Sequence, residues 1–199
     1  KGNKDALLMY LLDEHPEWNR VIVFTKMRHG ADRINKKLLR KKEKSAAIHS
    51  DKTQNQRTRA LEGFRRGETR VLVATDIASR GIDVPEVSAV INMELPLEPE
   101  SYVHRIGRTA RAGESGVAIS FVAAGERGQL KAVERLIKKT IRLDADHPFH
   151  AGESELPPAG WTQPAKRDRA NGKRKKRISY QGRRQPDFGQ KRREGQDGR

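Results

Sequence analysis

Hydrophobic positions over the first 140 residues alternate between helical spacing and short apolar runs. A helix is predicted over 5–14, because its leucines recur at helical spacing and His15-Pro16 ends the pattern. Residues 20–25 are apolar on both faces, as expected of a central parallel strand. The same pattern predicts helices over 30–42, 53–66, 99–109 and 126–139, and strands over 46–49, 70–75, 87–92 and 116–122.

Helices and strands that alternate in this way predict an α/β fold, in which a parallel sheet is covered by helices on both faces. Ligands of such sheets bind at the carboxyl ends of the strands, where turns and helix N-termini expose backbone N–H groups. Residues 25–29, 49–53 and 75–83 all follow predicted strands directly. We therefore expect these segments to converge on one rim of the sheet.

The segment 102–113 carries the most distinctive polar pattern of the chain. In it, His104 is followed by three arginines at a spacing of three residues, Arg105, Arg108 and Arg111. In a helix this spacing places the arginines on one face, where their mutual repulsion favours an anionic partner such as phosphate. Arginines on a helix are more often a solvated face, but the residues around this segment favour the phosphate interpretation.

Two strings of residues carry a family resemblance. Residues 74–83 read ATDIASRGID and residues 104–113 read HRIGRTARAG. They resemble the fifth and sixth motifs of DEAD-box RNA helicases almost letter for letter. Residues 21–25 are similar to the strand of the family's motif IV, and 56–59 to its QxxR element. The resemblance covers about residues 5–140 and implies a RecA-like sheet; the strand 45–49 and the sixth motif are most similar to the bacterial RhlE subgroup.

The other half of that family carries a GxxxxGK[ST] phosphate loop and a DEAD metal-binding box, and neither string occurs here. Those parts position ATP and Mg²⁺. The resemblance therefore implies one lobe of a two-lobe ATPase, with ATP and Mg²⁺ held mainly by the N-terminal lobe. We expect negligible ATP turnover from this chain alone. A first residue that is Lys1 and not Met is consistent with an excised domain or a cleaved fragment.

By resemblance, Arg108 and Arg111 match the arginine fingers that reach the terminal phosphate of ATP on the other lobe. A planar guanidinium donates two hydrogen bonds to phosphate oxygens, a role for which lysine is a poor substitute. His104 and Arg105 are expected to orient the site, through ion pairing within this lobe or contact with the acidic box across the cleft. Asp83 matches the carboxylate that accepts a ribose hydroxyl, although it could also simply close its turn.

The resemblance also implies an RNA-binding face on the same rim, which grips phosphates and does not read bases. The residues assigned to it are Thr25, Arg28, Gln56, Arg59, Thr75, Arg80 and Gly81. Gln56 has a second interpretation of equal weight, because Thr53 and Gln56 form the S/T-x-x-E/Q pattern of a capping box. About three or four phosphate contacts imply weak binding by this lobe, with a salt slope of about −0.7 per contact.

Composition changes near residue 144. Residues 1–150 carry 28 Lys and Arg against 20 Asp and Glu, and residues 151–199 carry 14 against 6, so each part has a net charge of +8. We assign 1–144 to the helicase lobe and 145–165, which is rich in proline and glycine, to a linker. Residues 166–199 are predicted to be a disordered basic tail that tethers RNA, with a mere solubility tail as the alternative.

The total net charge of +16 favours nucleic acid as a partner, and no apolar run approaches the ~20 residues that span a membrane. No secretory leader is visible, and the absence of cysteine is compatible with a reducing cytoplasm. We thus expect a cytoplasmic, ATP-dependent RNA helicase whose partners are RNA and the N-terminal lobe. Two alternatives stay open: a stand-alone RNA-binding or annealing module, and a protein-interaction scaffold in an RNA-processing or ribosome-assembly complex.

Overall fold

The computed structural model describes residues 2–76, 87–109, 116–145 and 147–149. Within these ranges the helices are α1 (Gly2–Glu14), α2 (Arg28–Arg40), α3 (Gln54–Arg65), α4 (Pro99–Ile106) and α5 (Arg127–Ile137), with a short 3₁₀ helix at Ala124–Glu126. The strands are β1 (Val21–Phe24), β2 (Ser45–Ile48), β3 (Val71–Ala74), β4 (Ala89–Asn92) and β5 (Val117–Ser120). Every predicted helix and strand is present, with bounds shifted by a few residues.

The described strands form one parallel sheet in the order β2-β3-β1-β4-β5. At the start of β1, Val21 pairs with Val71 on one side and with Ala89 on the other. Because all the strands run in the same direction, their carboxyl ends lie along one edge. We call this edge the rim and define it by the residues that directly follow the strands: Thr25, His49, Thr75, Met93 and Phe121.

Alternate residues of the central strands pack into two cores on opposite faces of the sheet. Val21 and Val23 belong to the core that contains the apolar residues of α1 and α2, namely Leu8, Leu12, Ile34 and Leu38. Ile22 and Phe24 belong to the other core, which contains Phe64 of α3. This two-sided burial explains why β1 is apolar at every position, and it confirms the predicted helices on both faces.

A third apolar cluster joins α4 to α5 through Tyr102 and Val133, together with Leu95. After α5, the chain returns to α1, where the ring of Phe149 lies edge-on to that of Tyr10 at a centroid distance of 6.1 Å. The predicted basic tail and most of the predicted linker lie outside the described residues. Of the helices in the described ranges, none has the length and apolar content needed to cross a membrane.

Two arginines at the edge opposite the rim bind backbone carbonyl groups of the lobe itself. Arg70 donates from Nε to the carbonyl of Trp18 at 2.8 Å and pairs with the carboxylate of Glu43 at 2.9 Å. Arg20 donates to the carbonyl of Arg65, the last residue of α3, at 3.1 Å. These guanidinium groups therefore stabilise loops and a helix C-terminus, where the last carbonyl groups lack helical partners.

Candidate functional site

Three polar side chains lie next to one another along the rim. His49, Thr75 and Thr25 follow β2, β3 and β1, which are neighbours in the sheet, and all three side chains are buried. The N–H of Thr75 donates to the carbonyl of Ile48 at 3.3 Å, and that of Thr25 donates to Ala74 at 2.9 Å. The predicted convergence of 25–29, 49–53 and the start of 75–83 is therefore confirmed, while residues 77–83 lie outside the described residues.

Arg105 is buried beneath the rim, with 2% of its surface exposed. Its guanidinium binds both carboxylate oxygens of Asp76, at 2.6 and 2.8 Å. It also donates to the side-chain oxygen of Asn92 at 3.0 Å, and it lies 5.1 Å from the centre of the Phe24 ring. A buried charge is stable only when paired and hydrogen-bonded in this way. The expected ion pairing of Arg105 within the lobe is confirmed.

The expectation that the three arginines share one helical face is wrong. Helix α4 ends at Ile106, three residues earlier than predicted over 99–109. Arg105 is still helical and points into the protein, whereas Arg108 lies beyond the helix end and is only partly buried. The carboxylate of Asp76 neutralises Arg105 inside the protein. Repulsion between Arg105 and Arg108 is therefore no argument for an external anion.

Side-chain hydrogen bonds to backbone carbonyl groups hold Arg108 and the residue after it. Its own Nε donates to the carbonyl of His104 at 3.3 Å. The next residue, Thr109, is buried, and its hydroxyl donates to the carbonyl of Val87 at 2.6 Å. Thr109 was not predicted as a site residue. Its position between Arg108 and Arg111 was the feature of the sequence that could have indicated a structural role. His104 is exposed on α4.

Thr25 and Arg28 form the turn between β1 and α2. The hydroxyl of Thr25 donates to the carbonyl of Met27 at 3.2 Å, so its proton is directed into the turn. Arg28, the first residue of α2, pairs with the carboxylate of Asp51 in the loop after β2. Both partners of this pair are more than half exposed, so water screens it and phosphate can compete with the carboxylate for the guanidinium.

The loop after β2 is held by His49. Its Nδ1 accepts a hydrogen bond from the backbone N–H of Asp51 at 3.3 Å, and its Nε2 lies 3.1 Å from a carboxylate oxygen of Asp32. Asp32 also pairs with Lys52 at 2.8 Å. Burial tends to raise the pKa of Asp32, but hydrogen bonds from Lys52 and His49 outweigh it and hold the pKa below its ordinary value. The loop is thus anchored to α2 immediately before α3 begins.

Helix α3 begins with the capping box that the sequence predicted. The hydroxyl of Thr53 accepts from the N–H of Gln56 at 3.3 Å, and the side-chain oxygen of Gln56 accepts from the N–H of Thr53 at 3.0 Å. The structural interpretation of Gln56 is therefore confirmed. Its side-chain amide nitrogen is a separate donor and is not needed for the cap. One turn further on, Arg59 is exposed.

Four of the predicted site residues are not among the described ones. Arg80, Gly81, Asp83 and Arg111 all lie outside the described residues. Within the described ranges, no group of three His, Cys, Asp or Glu side chains is placed to hold a metal ion. Beside the rim, Arg28 at the start of α2 and Arg59 in the first half of α3 carry exposed guanidinium groups, and such groups are strong hydrogen-bond donors to phosphate oxygens.

Comparison with known proteins relates this arrangement to one family. The profile of the helicase conserved C-terminal domain matches residues 3–113. The ATP-dependent RNA helicase RhlB of Pseudomonas syringae pv. tomato is 46% identical over 137 residues, which are 69% of this chain and 34% of that protein. The DEAD-box ATP-dependent RNA helicase CshA of Bacillus cereus is 45% identical over 146 residues, 73% of this chain and 27% of that protein. This chain spans about a third or less of these curated relatives.

Solved structures show the same fold. The E. coli DEAD-box protein SrmB, bound to regulator of ribonuclease activity A, is 37% identical with a TM-score of 0.71, covering 79% of this chain and 92% of that one. Domain 2 of the DEAD-box helicase Mss116p, bound to an RNA duplex, is 28% identical with a TM-score of 0.63, covering 71% and 57%. The parallel sheet is therefore RecA-like, and the chain belongs to the helicase conserved C-terminal domain family, as a lobe of the DEAD-box type.

Proposed function

We propose that this chain is the second RecA-like lobe of an ATP-dependent RNA helicase that separates short RNA duplexes. The relatives named above are ATP-dependent RNA helicases and are much longer than this chain. The other parts of the machine, including the phosphate loop and the metal-binding box, are then supplied by an N-terminal lobe. That lobe and RNA are the two partners that the proposal requires.

The observation that carries the proposal is the different environment of two neighbouring arginines. Arg105 is buried in an internal ion pair, whereas Arg108 is partly exposed just beyond the end of α4. The buried pair fixes the helix end and so positions the residues that follow it. We assign Arg108 and Arg111 as the two fingers toward the terminal phosphate of ATP, and Asp83 to a ribose hydroxyl. His104, at the same helix end, is assigned to orienting them.

When bound, ATP with Mg²⁺ supplies the free energy of phosphoryl transfer, and both are held mainly by the N-terminal lobe. Arginine donors from this lobe fit that chemistry, because guanidinium groups stabilise the negative charge that develops on the transferred phosphoryl group. The contribution of this chain is to donate hydrogen bonds to phosphate oxygens and to exclude water as the lobes close.

The RNA-binding face is assigned to the neighbouring part of the rim. Thr75 and the backbone N–H groups of Arg80 and Gly81 would grip one phosphate, and Arg59 with the amide nitrogen of Gln56 would grip another. Arg28 joins them if phosphate replaces Asp51 as its partner. The hydroxyl of Thr25 shapes this turn, so its contact with RNA is the weakest of the set.

The proposal assigns both sets of residues to one rim, so closure of the lobes would act on both. A strand held by both lobes in a kinked path can no longer pair with its complement, and reopening would release it. Phosphate contacts make this action independent of base sequence. Duplex separation would therefore be local and limited to the strand segment within the clamp.

The test is RNA-stimulated phosphate release by the full two-lobe protein. Arg108→Ala and Arg111→Ala should each lower the rate roughly a thousandfold while RNA binding is kept. Arg40→Ala is the matched control, because Arg40 is an exposed arginine on α2, away from the rim, and it should leave the rate unchanged. Unaltered rates in both finger variants would refute the assignment of the fingers.

The same experiment separates the alternatives. An RNA-binding or annealing module would bind RNA without RNA-stimulated phosphate release, even with the N-terminal lobe present. A scaffold in an RNA-processing or ribosome-assembly complex would still support the assembly of that complex after both arginine fingers are replaced. Each result contradicts the proposed ATPase role directly.

Two narrower assignments complete the proposal. The residues 45–49 and the sixth motif support the bacterial RhlE subgroup, which a tree of this lobe with RhlE, RhlB and SrmB lobes would test.

The lack of cysteine supports a cytoplasmic location. Fractionation of cells that produce the full-length protein would test it, and recovery outside the cytoplasm would contradict it.

A further inference from the structure

A group of cationic side chains lies outside the predicted site. We call it the α5 cationic face; Lys131 and Arg135 lie on α5, and Lys138, Lys139 and Arg142 lie in the segment that directly follows the helix. All five side chains are exposed. Lys131 and Arg135 lie one turn apart in α5, and like charges at this spacing destabilise a helix. Such a face is unfavourable for the isolated lobe.

Acidic residues of the described chain do not neutralise the α5 cationic face. The single acidic residue between positions 127 and 142 is Glu134. Its carboxylate accepts a hydrogen bond from the backbone N–H of Ile141 at 2.9 Å, which ties the chain after α5 back to the helix. Among the ion pairs formed within the described ranges, none includes a member of this face.

Helix α2 provides a contrast within the same lobe. Its cations Arg33 and Lys37 both pair with the buried carboxylate of Asp5 on α1, and Lys41 just after it pairs with Asp13. The cations that join α2 to α1 therefore have carboxylates opposite them. The α5 cationic face has no such partners among the described residues, and its five side chains are exposed to solvent.

The helix dipole explains only part of this face. Cations near a helix C-terminus interact favourably with the partial negative charge there, which accounts for Arg135 and Lys138. Lys131 lies in the middle of α5 and Arg142 lies five residues beyond its end, so neither gains from the dipole. Water and small ions solvate these exposed cations, and a polyanion that displaced those ions would bind the whole group.

The start of α5 is tied to the rim. Glu126, directly before the helix, accepts hydrogen bonds from Lys4 at 2.7 Å and from the backbone N–H of Leu95 at 3.3 Å. Lys4 in turn donates to the carbonyl groups of two rim residues, Met93 at 2.8 Å and Phe121 at 2.6 Å. The face thus begins close to the rim and continues along the chain toward residues 151–199, which carry 14 Lys and Arg.

We propose that the α5 cationic face binds the phosphate backbone of RNA that extends beyond the rim. The choice of RNA as the polyanion rests on the proposed function. Four residues of α-helix rise about 6 Å, which is comparable to the separation of successive phosphates in a strand. Lys131 and Arg135 can therefore contact neighbouring phosphates. Contacts of this kind add affinity and salt dependence without sequence preference.

The experiment measures binding of fluorescent single-stranded RNA to the whole 199-residue chain across a range of salt concentrations. Two RNAs are compared, one of about 8 nucleotides that fills the rim and one about three times longer. The test variant is Lys131→Gln/Arg135→Gln/Lys139→Gln. The matched control is Lys36→Gln/Arg40→Gln/Lys44→Gln, which removes two exposed lysines and one exposed arginine from another surface. A further variant, Arg59→Gln, removes one proposed RNA contact beside the rim and so measures the contribution of that site to binding.

The test variant should bind the long RNA at least about tenfold more weakly near 0.1 M salt, with a salt slope smaller by about 2. Its affinity for the short RNA should stay unchanged, and the control should bind both RNAs almost as the native chain does. An equal loss in the test variant and the control would overturn the proposal, because net charge alone would then explain it.

The rim variant keeps this proposal separate from the proposed function. If Arg59→Gln weakens binding of both RNAs while the test variant binds the long RNA normally, the α5 cationic face is not an RNA site, and an acidic protein becomes its candidate partner. If Arg59→Gln changes neither affinity, the RNA-binding role of the rim fails, whatever the test variant does.

Discussion

Arg105 reaches across the sheet to Asp76, 29 residues earlier in the chain, and binds both of its carboxylate oxygens. The pair joins the C-terminal half of α4 to the segment that follows β3. Arg105 is almost fully buried, whereas Asp76 is partly exposed. The two motifs that carry the family resemblance are thereby linked by a charged contact within the lobe.

Replacement of Arg105 should destabilise the lobe strongly. Arg105→Ala leaves Asp76 without its buried partner and Asn92 without its donor, so we expect a loss of about 3–5 kcal/mol in the free energy of unfolding. Urea denaturation followed by circular dichroism measures it. Arg108→Ala is the control, with an expected change within about 0.5 kcal/mol. Similar losses in both variants would mean that Arg105 is not the anchor.

The pair between α1 and α2 should make stability depend on acidity. Burial raises the pKa of Asp5, but hydrogen bonds from Lys37 and Arg33 outweigh it, so the pKa is lowered in the folded protein. A lowered pKa stabilises the fold above the pKa of the unfolded chain, and this stability is lost as the pH falls through the folded pKa.

Asp5→Asn should therefore cost about 1–2 kcal/mol near pH 7, a value kept modest because both cations are partly exposed. The difference from the native chain should shrink below about pH 4, where Asp5 of the unfolded chain takes up a proton, and should continue to shrink as the pH falls through the lowered pKa of the folded protein. Urea unfolding at several pH values gives the comparison. Asp13→Asn, at an exposed pair, should change stability little at any pH; a constant deficit for Asp5→Asn would contradict the pH argument.

The two roles assigned to Gln56 can be separated by one substitution. Gln56→Glu keeps an oxygen that accepts from the N–H of Thr53, so the capping box and the stability of the lobe should be retained within about 0.5 kcal/mol. The variant loses the amide donor and gains a negative charge, so RNA binding should weaken by about tenfold. Gln54→Glu adds the same charge two residues earlier and should weaken binding less. Equal effects would indicate a role in capping alone.

Two glycines should respond to alanine in opposite ways. Gly67, after α3, has a φ of +74°, and no atom lies within 4 Å of an added Cβ, so the cost of Gly67→Ala is backbone strain of about 1 kcal/mol. Gly128 lies in the first turn of α5 and is equally open, so Gly128→Ala should stabilise the lobe by up to about 1 kcal/mol. Thermal unfolding of both variants would show the opposite shifts.

Much of the fold follows from local sequence. Residues 21–24 are all apolar because β1 is covered on both faces. The pattern at Thr53 and Gln56 specifies the start of α3 from adjacent residues alone. These features depend on neighbours within a few positions, so periodicity and capping rules recover them. The position of the rim could also be predicted, because the carboxyl ends of parallel strands lie along one edge of a sheet.

The parts that could not be predicted depend on contacts between distant residues. A spacing of three treats Arg105 and Arg108 alike, and only the fold brings Asp76 and Asn92 beside the first of them. The same holds for Asp5, whose cationic partners are 28 and 32 residues away. The α5 cationic face was equally hidden, because the sequence does not show that Arg33 and Lys37 of α2 pair with Asp5 while Lys131 and Arg135 of α5 have no carboxylate partner among the described residues.

Lys4 connects α1 directly to the rim. One ammonium group holds the carbonyl groups that end two neighbouring strands, together with the carboxylate in front of α5. A displacement of α1 along its axis would therefore pull on Met93, Phe121 and Glu126 at once. A force that moves the first helix would therefore also move this side of the rim, where nucleotide and RNA are proposed to bind.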